Sequence, residues 1–203
     1  MRITADNISK YFQRRQVLKN IHFQIDSPGA LVVTGPNGSG KSTLVRIICG
    51  LMGASSGTVN FIENGKTLDQ IDAAQQIGLV SPYLQLYKDL TAWENLSFFA
   101  KSRTGHVEKK RILELLTAVG LNNRLHDPLR AYSSGMLQRV KYAAALYHQP
   151  KILILDEPTA NLDETGKQWV YSIIETYRQS NIVIIATNEP EEVVLATQRV
   201  DVT

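Results

Sequence analysis

One stretch constrains the fold more than any other, a glycine-rich run that fits the pattern G-x-x-x-x-G-K-[ST]. It consists of Gly35, Pro36, Asn37, Gly38, Ser39, Gly40, Lys41, Ser42 and Thr43. The apolar, β-branched run Ala30 to Thr34 before it is typical of a buried strand, and Leu44 to Gly50 after it has the pattern of a helix that ends at a glycine. A glycine loop between a strand and a helix turns backbone N–H groups towards an anion, and the helix N-terminus adds partial positive charge. This context predicts a phosphate-binding loop in an α/β protein, because a chance lysine in a glycine-rich turn explains neither the flanks nor the spacing.

The loop and a second motif predict a nucleotide site. Lys41 is expected to reach the β- and γ-phosphates, and the Ser42 hydroxyl is expected to ligate Mg²⁺. Downstream, the apolar run Ile152 to Leu155 is followed by Asp156 and Glu157, which predicts a parallel strand whose carboxyl end faces the ligand crevice. Asp156 is expected to hold Mg²⁺, directly or through water, and Glu157 to polarise the water that attacks the γ-phosphate. The alternative, a pair of helix-capping acids, is disfavoured by the phosphate loop upstream.

Composition narrows the class of protein. The chain has 203 residues and is 43% hydrophobic, enough for one sizeable core with an inserted subdomain. The net charge is +3 and the basic residues are scattered, which argues against a nucleic-acid partner. Cys49 is the only cysteine, so no disulfide forms within the chain. No apolar run approaches the roughly 18 residues of a membrane span, so we expect any docking on a membrane to need a partner.

The order of sequence patterns predicts one domain over residues 1–203, with a helical insertion. Residues 1–85 and 150–203 are expected to form the β-rich core, and residues from about 86 to 149 a helical subdomain. Strands are predicted at Arg2–Ala5, Val17–Ile25, Ala30–Thr34, Thr58–Ile62, Ile77–Val80, Ile152–Leu155, Ile182–Ala186 and Arg199–Val202. Helices are predicted at Leu44–Gly50, Trp93–Ala100, Glu108–Val119, Ser134–Tyr147, Glu164–Gln179 and Glu191–Ala196. Asn64 and Gly65 predict a hairpin turn after the fourth strand.

Three motifs in sequence order resemble the ATP-binding cassette of ABC transporters over nearly the whole chain. They are the phosphate loop, then Ser133-Ser134-Gly135-Met136-Leu137-Gln138-Arg139, then Asp156-Glu157-Pro158-Thr159-Ala160-Asn161-Leu162-Asp163. The resemblance implies a P-loop NTPase (RecA-like) α/β core with an antiparallel β subdomain and an inserted α-helical subdomain. It also implies Mg²⁺-dependent ATP hydrolysis by a head-to-tail dimer, a homodimer or a heterodimer with another ABC ATPase. A separate transmembrane permease subunit would hold the dimer at the cytoplasmic face of the cell membrane.

The resemblance also assigns the remaining site residues. Ser133 and the backbone of Gly135, at a helix N-terminus, would bind the ATP held by the partner subunit, although an ordinary helix cap has the same sequence. Ser134 departs from the family's pair of glycines at this point. Tyr11 would stack on adenine, with Phe12 or simple core packing as alternatives. Asp163 would face the dimer, and it is equally suited to cap the next helix.

Two positions depart from the family pattern. The family's glutamine falls on Pro82, which has no side-chain ligand, so Gln85 is the substitute candidate for the metal, although it is equally consistent with a solvated loop residue. The family's switch histidine falls on Asn188, which can donate a hydrogen bond to the γ-phosphate but does not titrate. The predicted catalytic set is therefore Glu157, Lys41 and Asn188.

The function most consistent with these motifs is that of an ATPase subunit that powers an ABC transporter. A nucleotide-gated module with little hydrolysis and a non-transport ABC protein are the alternatives. Several apolar residues of the insertion would either line a groove for a permease helix or pack the subdomain itself: Leu86, Tyr87, Leu90, Trp93, Phe98 and Phe99. The transported substrate and the direction of transport are not indicated by the sequence.

Overall fold

The computed structural model describes all residues from Met1 to Thr203, and its strands form two sheets. The antiparallel sheet has the order β2-β1-β4-β5 and contains β1 (Arg2–Phe12), β2 (Arg15–Asp26), β4 (Ser56–Glu63) and β5 (Lys66–Thr67). The parallel sheet has the order β6-β7-β8-β3-β9 and contains β3 (Gly29–Thr34), β6 (Ile77–Val80), β7 (Ile152–Asp156), β8 (Ile182–Ala186) and β9 (Gln198–Asp201).

The central parallel strands are continuous apolar runs because both faces of the sheet are covered. Successive residues of β7 alternate between the two faces. Ile152 and Ile154 pack in one core with the antiparallel sheet and helix α1 (Lys41–Ile48). Leu153 and Leu155 pack in the other core with helix α6 (Glu164–Tyr177). The sheet is therefore held between two apolar layers, which fixes the ends of its strands in space.

The segment between β6 and β7 is helical and has a core of its own. It contains α3 (Ala92–Thr104), α4 (Lys109–Ala118), α5 (Ser134–Leu146) and two short 3₁₀ turns, Asn122–Arg124 and Leu129–Ala131. Buried side chains of all three α-helices meet in this core. Helix α5 also lies against β6, where only a glycine fits: a Cβ on Gly78 would lie 2.5 Å from the Ala145 carbonyl oxygen.

Two further helices are short, α2 (Gln70–Gln75) and α7 (Pro190–Val193). The hairpin predicted at Asn64 and Gly65 joins β4 to β5, and both residues have the positive φ that a type I′ turn requires. Helix α2 was not predicted. None of the helices combines the length with the apolar character that a membrane crossing requires.

The order of the parallel sheet places four loops at one edge. The carboxyl ends of β6, β7, β8 and β3 are neighbours in that order. They lead into Ser81, Asp156, Thr187 and the glycine loop that starts at Gly35. The carboxyl edge of a parallel sheet is the usual ligand crevice of this class of fold. These four loops therefore form the candidate site.

Candidate active site

The glycine loop joins β3 to α1 and has a backbone that only glycine adopts easily. Gly35, Gly38 and Gly40 have φ values of 148°, 80° and 113°. A Cβ on Gly35 would collide with the Val202 carbonyl oxygen, and one on Gly40 would lie 2.7 Å from Val17 Cγ1. Val17 of β2 and Val202, which follows β9, therefore pack closely against the loop and restrict its backbone to this shape.

The inside of this loop is suited to an anion. Lys41 is only 5% exposed, and its Nζ donates to the carbonyl oxygens of Gly35 at 2.7 Å and Pro36 at 3.3 Å. The Ser39 hydroxyl is buried without a hydrogen-bond partner. Helix α1 begins at the loop with no side-chain cap and no acidic residue in its first turn, so no side chain occupies its N-terminal N–H groups. An unpaired hydroxyl, an ammonium group and a free helix N-terminus together fit a phosphate.

A buried carboxylate lies beside the loop. Asp156 ends β7 and is 1% exposed. Its Oδ1 accepts a hydrogen bond from Ser42 Oγ at 3.1 Å, and its Oδ2 accepts one from Ser81 Oγ at 3.3 Å. Burial raises the pKa of Asp156, and the hydrogen bonds from Ser42 and Ser81 act in the opposite direction. Ser42 and Asp156, two of the three predicted metal ligands, are thus in contact.

Ser81 was missed by the sequence analysis. A signal for it exists, because the adjacent parallel strands β6 and β7 pair Val80 with Leu155. The residues that follow these two, Ser81 and Asp156, are therefore side by side. Finding Ser81 from the sequence requires knowing that these two strands are neighbours.

Glu157 and Asn188 face one cavity of about 350 Å³, whose wall also includes Asn37, Thr159 and Glu192. Glu157 is exposed and has a φ of 50°, an uncommon backbone for a residue with a Cβ, with a cost on the order of 1 kcal/mol. Its N–H donates to the Ala186 carbonyl oxygen at 2.9 Å. Asn188 Nδ2 donates to Asn37 Oδ1 at 2.6 Å, which ties the loop after β8 to the glycine loop. The predicted catalytic residues Glu157 and Asn188 thus share one cavity beside the phosphate loop.

Gln85 is not among the side chains that the structure brings to Asp156. It is exposed and lines a separate groove of about 450 Å³, which contains neither Ser42 nor Asp156. The physical reason is the turn after β6, in which the Leu84 N–H donates to the Ser81 carbonyl oxygen at 3.1 Å and directs the chain outward. The expectation that Gln85 stands in for the glutamine missing at position 82 has no support from this placement.

Ser133 and Gly135 lie at the start of α5, away from the chain's own phosphate loop. Ser133 Oγ accepts from the Met136 N–H at 3.2 Å, as expected of a helix cap. The cavity of about 300 Å³ at this helix start is shared with the loop Asn161–Asp163 and contains no residue of the glycine loop. Asp163 caps α6 by accepting from the Gly166 N–H at 2.8 Å. A phosphate at this helix start would have to come from another molecule.

Tyr11 and Phe12 are both on the surface, near the tip of the β1–β2 hairpin. They are 47% and 44% exposed, so core packing does not account for either ring. The Lys10 ammonium lies 5.3 Å from the centroid of the Phe12 ring. Since adjacent strand residues point to opposite faces, the Tyr11 ring lies on the other side of the strand. The Tyr11 ring remains the candidate for stacking on a base.

A family model described as "ABC transporter" matches residues 18–160. The chain belongs to the ABC transporter family. It is 35% identical over 205 residues to the linearmycin resistance ATP-binding protein LnrL of Bacillus subtilis. The aligned region covers 98% of this chain and 65% of LnrL. It is 36% identical to the lantibiotic transport ATP-binding protein SrtF of Streptococcus pyogenes, over 92% of this chain and 79% of that protein. The chain thus spans slightly less than two thirds of LnrL.

Solved structures agree with this membership of the ABC transporter family. The dimeric structure of a bacterial ABC transporter cassette is 26% identical, with a TM-score of 0.86 over 98% of this chain and 94% of that one. A cassette in a post-hydrolysis dimer bound to ADP and phosphate has a TM-score of 0.88 at 24% identity. The predicted fold class, a P-loop core with an antiparallel β subdomain and a helical subdomain, is confirmed.

Proposed function

We propose that this chain binds and hydrolyses ATP as the ATP-binding subunit of an ABC transporter. The observation that carries the proposal is the meeting of Lys41, Ser42, Asp156 and Glu157 at the carboxyl ends of β3 and β7. The first two belong to the phosphate loop, and the other two supply the buried and the exposed carboxylate that phosphoryl transfer to water needs. The names of the relatives, which are resistance and lantibiotic transport ATP-binding proteins, support a role in transport.

The phosphate loop would bind the nucleotide. Its N–H groups and Lys41 would contact the β- and γ-phosphate oxygens, and Tyr11 would stack on the adenine. Ser42 and Asp156 present hard oxygen ligands of the kind that Mg²⁺ prefers, and Mg²⁺ usually keeps several waters, so two protein ligands are enough. When bound there, Mg²⁺ would neutralise negative charge on the phosphate oxygens.

Glu157 would act as the general base. The water oxygen attacks the γ-phosphorus, the bond to the β–γ bridging oxygen breaks, and the Glu157 carboxylate accepts the water proton. Asn188 would donate an amide N–H to a γ-phosphate oxygen and is held in the correct region by Asn37. Because an amide neither carries charge nor relays a proton, Asn188 would contribute only positioning.

Hydrolysis would take place in a dimer. Ser133 and the Gly135 backbone form a half-site with no phosphate loop beside it, so a second cassette would supply the ATP that this helix start binds. The partner is either a second copy or a related ABC ATPase. The similarity to dimeric cassettes supports this arrangement.

A transmembrane permease would dock on the helical segment and hold the chain at the cytoplasmic face of the cell membrane. Two aromatic side chains are exposed there, Tyr87 at 50% and Phe98 at 47%, with ring centroids 5.0 Å apart. The chain neighbours of Tyr87, Leu86 and Lys88, line the groove of about 450 Å³ that contains Gln85 and Lys141. The two rings would supply an apolar contact and the groove a polar rim.

The test of the function is phosphate release combined with isolation from membranes. We expect Mg²⁺-dependent release of phosphate from ATP, and recovery of the chain with a polytopic membrane protein after mild solubilisation. Turnover without any such membrane protein would favour a non-transport ABC protein. A chain that binds ATP but shows no turnover in the presence of its permease would favour the nucleotide-gated module.

Asn188→Ala is expected to lower turnover only modestly, and Asn188→His to leave it unchanged or raise it. A positioned acid–base group typically contributes about 10²–10⁴-fold, and a group that only orients the phosphate contributes less. The measurement is steady-state phosphate release for both variants beside the parent and Glu157→Gln. If Asn188→Ala is as inactive as Glu157→Gln, the asparagine has a direct catalytic role and the positioning role is wrong.

A further inference from the structure

Both oxygens of the Asp156 carboxylate are held by serine hydroxyls. Ser42, from the phosphate loop, holds Oδ1, and Ser81, from the end of the neighbouring strand β6, holds Oδ2. The metal role proposed above accounts for Ser42. It leaves Ser81 without a function, although Ser81 is only 4% exposed and lies against the buried carboxylate of Asp156.

The Ser81 hydroxyl has a fixed direction. Its Oγ accepts a hydrogen bond from the Tyr83 N–H at 3.3 Å. A hydroxyl has a single proton to donate, and the contact with Asp156 Oδ2 uses it. The carboxylate therefore receives a hydrogen bond from one defined side, which restricts rotation of its plane.

The turn that carries Ser81 is contacted from two other elements. Lys141 Nζ, from α5, donates to the Ser81 carbonyl oxygen at 3.0 Å. The Arg46 guanidinium, from α1, lies 3.9 Å from the centroid of the Tyr83 ring. The turn that carries Ser81 thus contacts both α1, the helix that follows the phosphate loop, and α5, the helix that Ser133 caps.

We propose that Ser81 is the positioning residue of the metal site. It orients Asp156 so that Oδ1, together with Ser42, faces the Mg²⁺ bound with ATP. This inference rests on the proposed function. The role of Ser81 explains how the turn after β6 contributes to the metal site, although Pro82 has no side-chain ligand and Gln85 lies in another groove. The Ser81 hydroxyl does not bind the metal itself. It orients the Asp156 carboxylate, which no other side chain of this turn contacts.

The test measures metal binding without turnover. Mn²⁺ is titrated into the chain saturated with a non-hydrolysable ATP analogue, and into the analogue alone, with free Mn²⁺ followed by electron paramagnetic resonance. The parent is expected to bind Mn²⁺ more tightly than the free analogue does. Ser81→Ala is expected to weaken that binding by about 10-fold, the lower end of the effect typical of residues that orient a metal ligand. Ser81→Thr, which keeps the hydroxyl, is expected to retain it.

Matched variants separate a metal role from simple packing. Ser81→Cys fills the same space with a weak donor and is expected to lose as much as Ser81→Ala. If the melting temperature shows that Ser81→Ala does not fold, the comparison of Ser81→Cys with Ser81→Thr decides whether the hydroxyl supports metal binding. Ser9→Ala removes another buried serine, one that bonds Asn20 in the antiparallel sheet, and is expected to leave Mn²⁺ binding unchanged.

The outcomes distinguish the inference from the function on which it rests. Parent-like Mn²⁺ affinity in both Ser81→Ala and Ser81→Cys overturns the role of Ser81 and leaves the proposed function intact. A parent that binds Mn²⁺ no better than the free analogue overturns the metal site at Ser42 and Asp156, and the inference with it. A parent that does not bind the analogue overturns the proposed function itself.

Discussion

Lys41→Ala is expected to weaken ATP binding on the order of 10²–10³-fold, because truncating one member of a buried, hydrogen-bonded charge pair costs about 2–5 kcal/mol. The ammonium group lies within the concave loop, where it donates to the Gly35 and Pro36 carbonyl oxygens. It is 5% exposed, so water would screen its attraction for a phosphate only weakly. Equilibrium titration with a fluorescent ATP analogue measures the effect, and turnover is expected to fall with it.

Lys151→Ala is the matched control for this experiment. Lys151 pairs with Glu63, and its side chain is about half exposed. It precedes β7, at the end of the strand opposite to Asp156. Its removal is expected to leave ATP affinity unchanged. Unchanged affinity and unchanged turnover in Lys41→Ala itself would contradict the assignment of the phosphate loop.

The strands were the most predictable part of the fold. The sequence alone gives the bounds of β6 and β8 without error. Strands buried on both faces must be apolar throughout, so their ends coincide with the ends of apolar runs. Helix α2 was missed for the opposite reason: Ala73 is its only buried residue, so it has no apolar period to detect, and only the cap Asp69 marks its start.

The phosphate loop and the two acids were predictable because their chemistry depends on local spacing. Ser42 and Asp156 are far apart in the chain, yet each belongs to a motif that identifies it. Ser81 belongs to no motif, and the role proposed for it depends on which strand lies beside β7. Gln85 as a metal ligand stays a prediction, and the structure places its side chain in another groove. The turn at Ser81 sets this position: the Tyr83 N–H donates to Ser81 Oγ and the Leu84 N–H donates to the Ser81 carbonyl oxygen, an arrangement that cannot be inferred from the residue types alone.

Glu157→Gln is expected to reduce turnover by about 10²–10⁴-fold, because it removes the general base while keeping the shape of the side chain. The substitution is conservative for the fold. Glu157 has a φ of 50°, and glutamine bears the same backbone cost there as glutamate. The side chain is exposed to the cavity, so the neutral amide leaves no buried group unpaired. ATP binding through Lys41 is expected to persist.

Because ATP is bound but not consumed, Glu157→Gln is expected to accumulate as a dimer in Mg-ATP. Light scattering in Mg-ATP and in Mg-ADP, with phosphate release measured on the same samples, tests both consequences together. Glu175→Gln is the control, since Glu175 is a partly exposed acid of α6 that pairs only with Arg178, and the variant is expected to hydrolyse ATP as the parent does. A cassette that pairs only with a different cassette would remain monomeric alone, so the experiment includes any ABC ATPase that co-purifies. Monomers in Mg-ATP with that partner present would contradict the dimeric mechanism, and parent-like turnover would remove Glu157 from the role of general base.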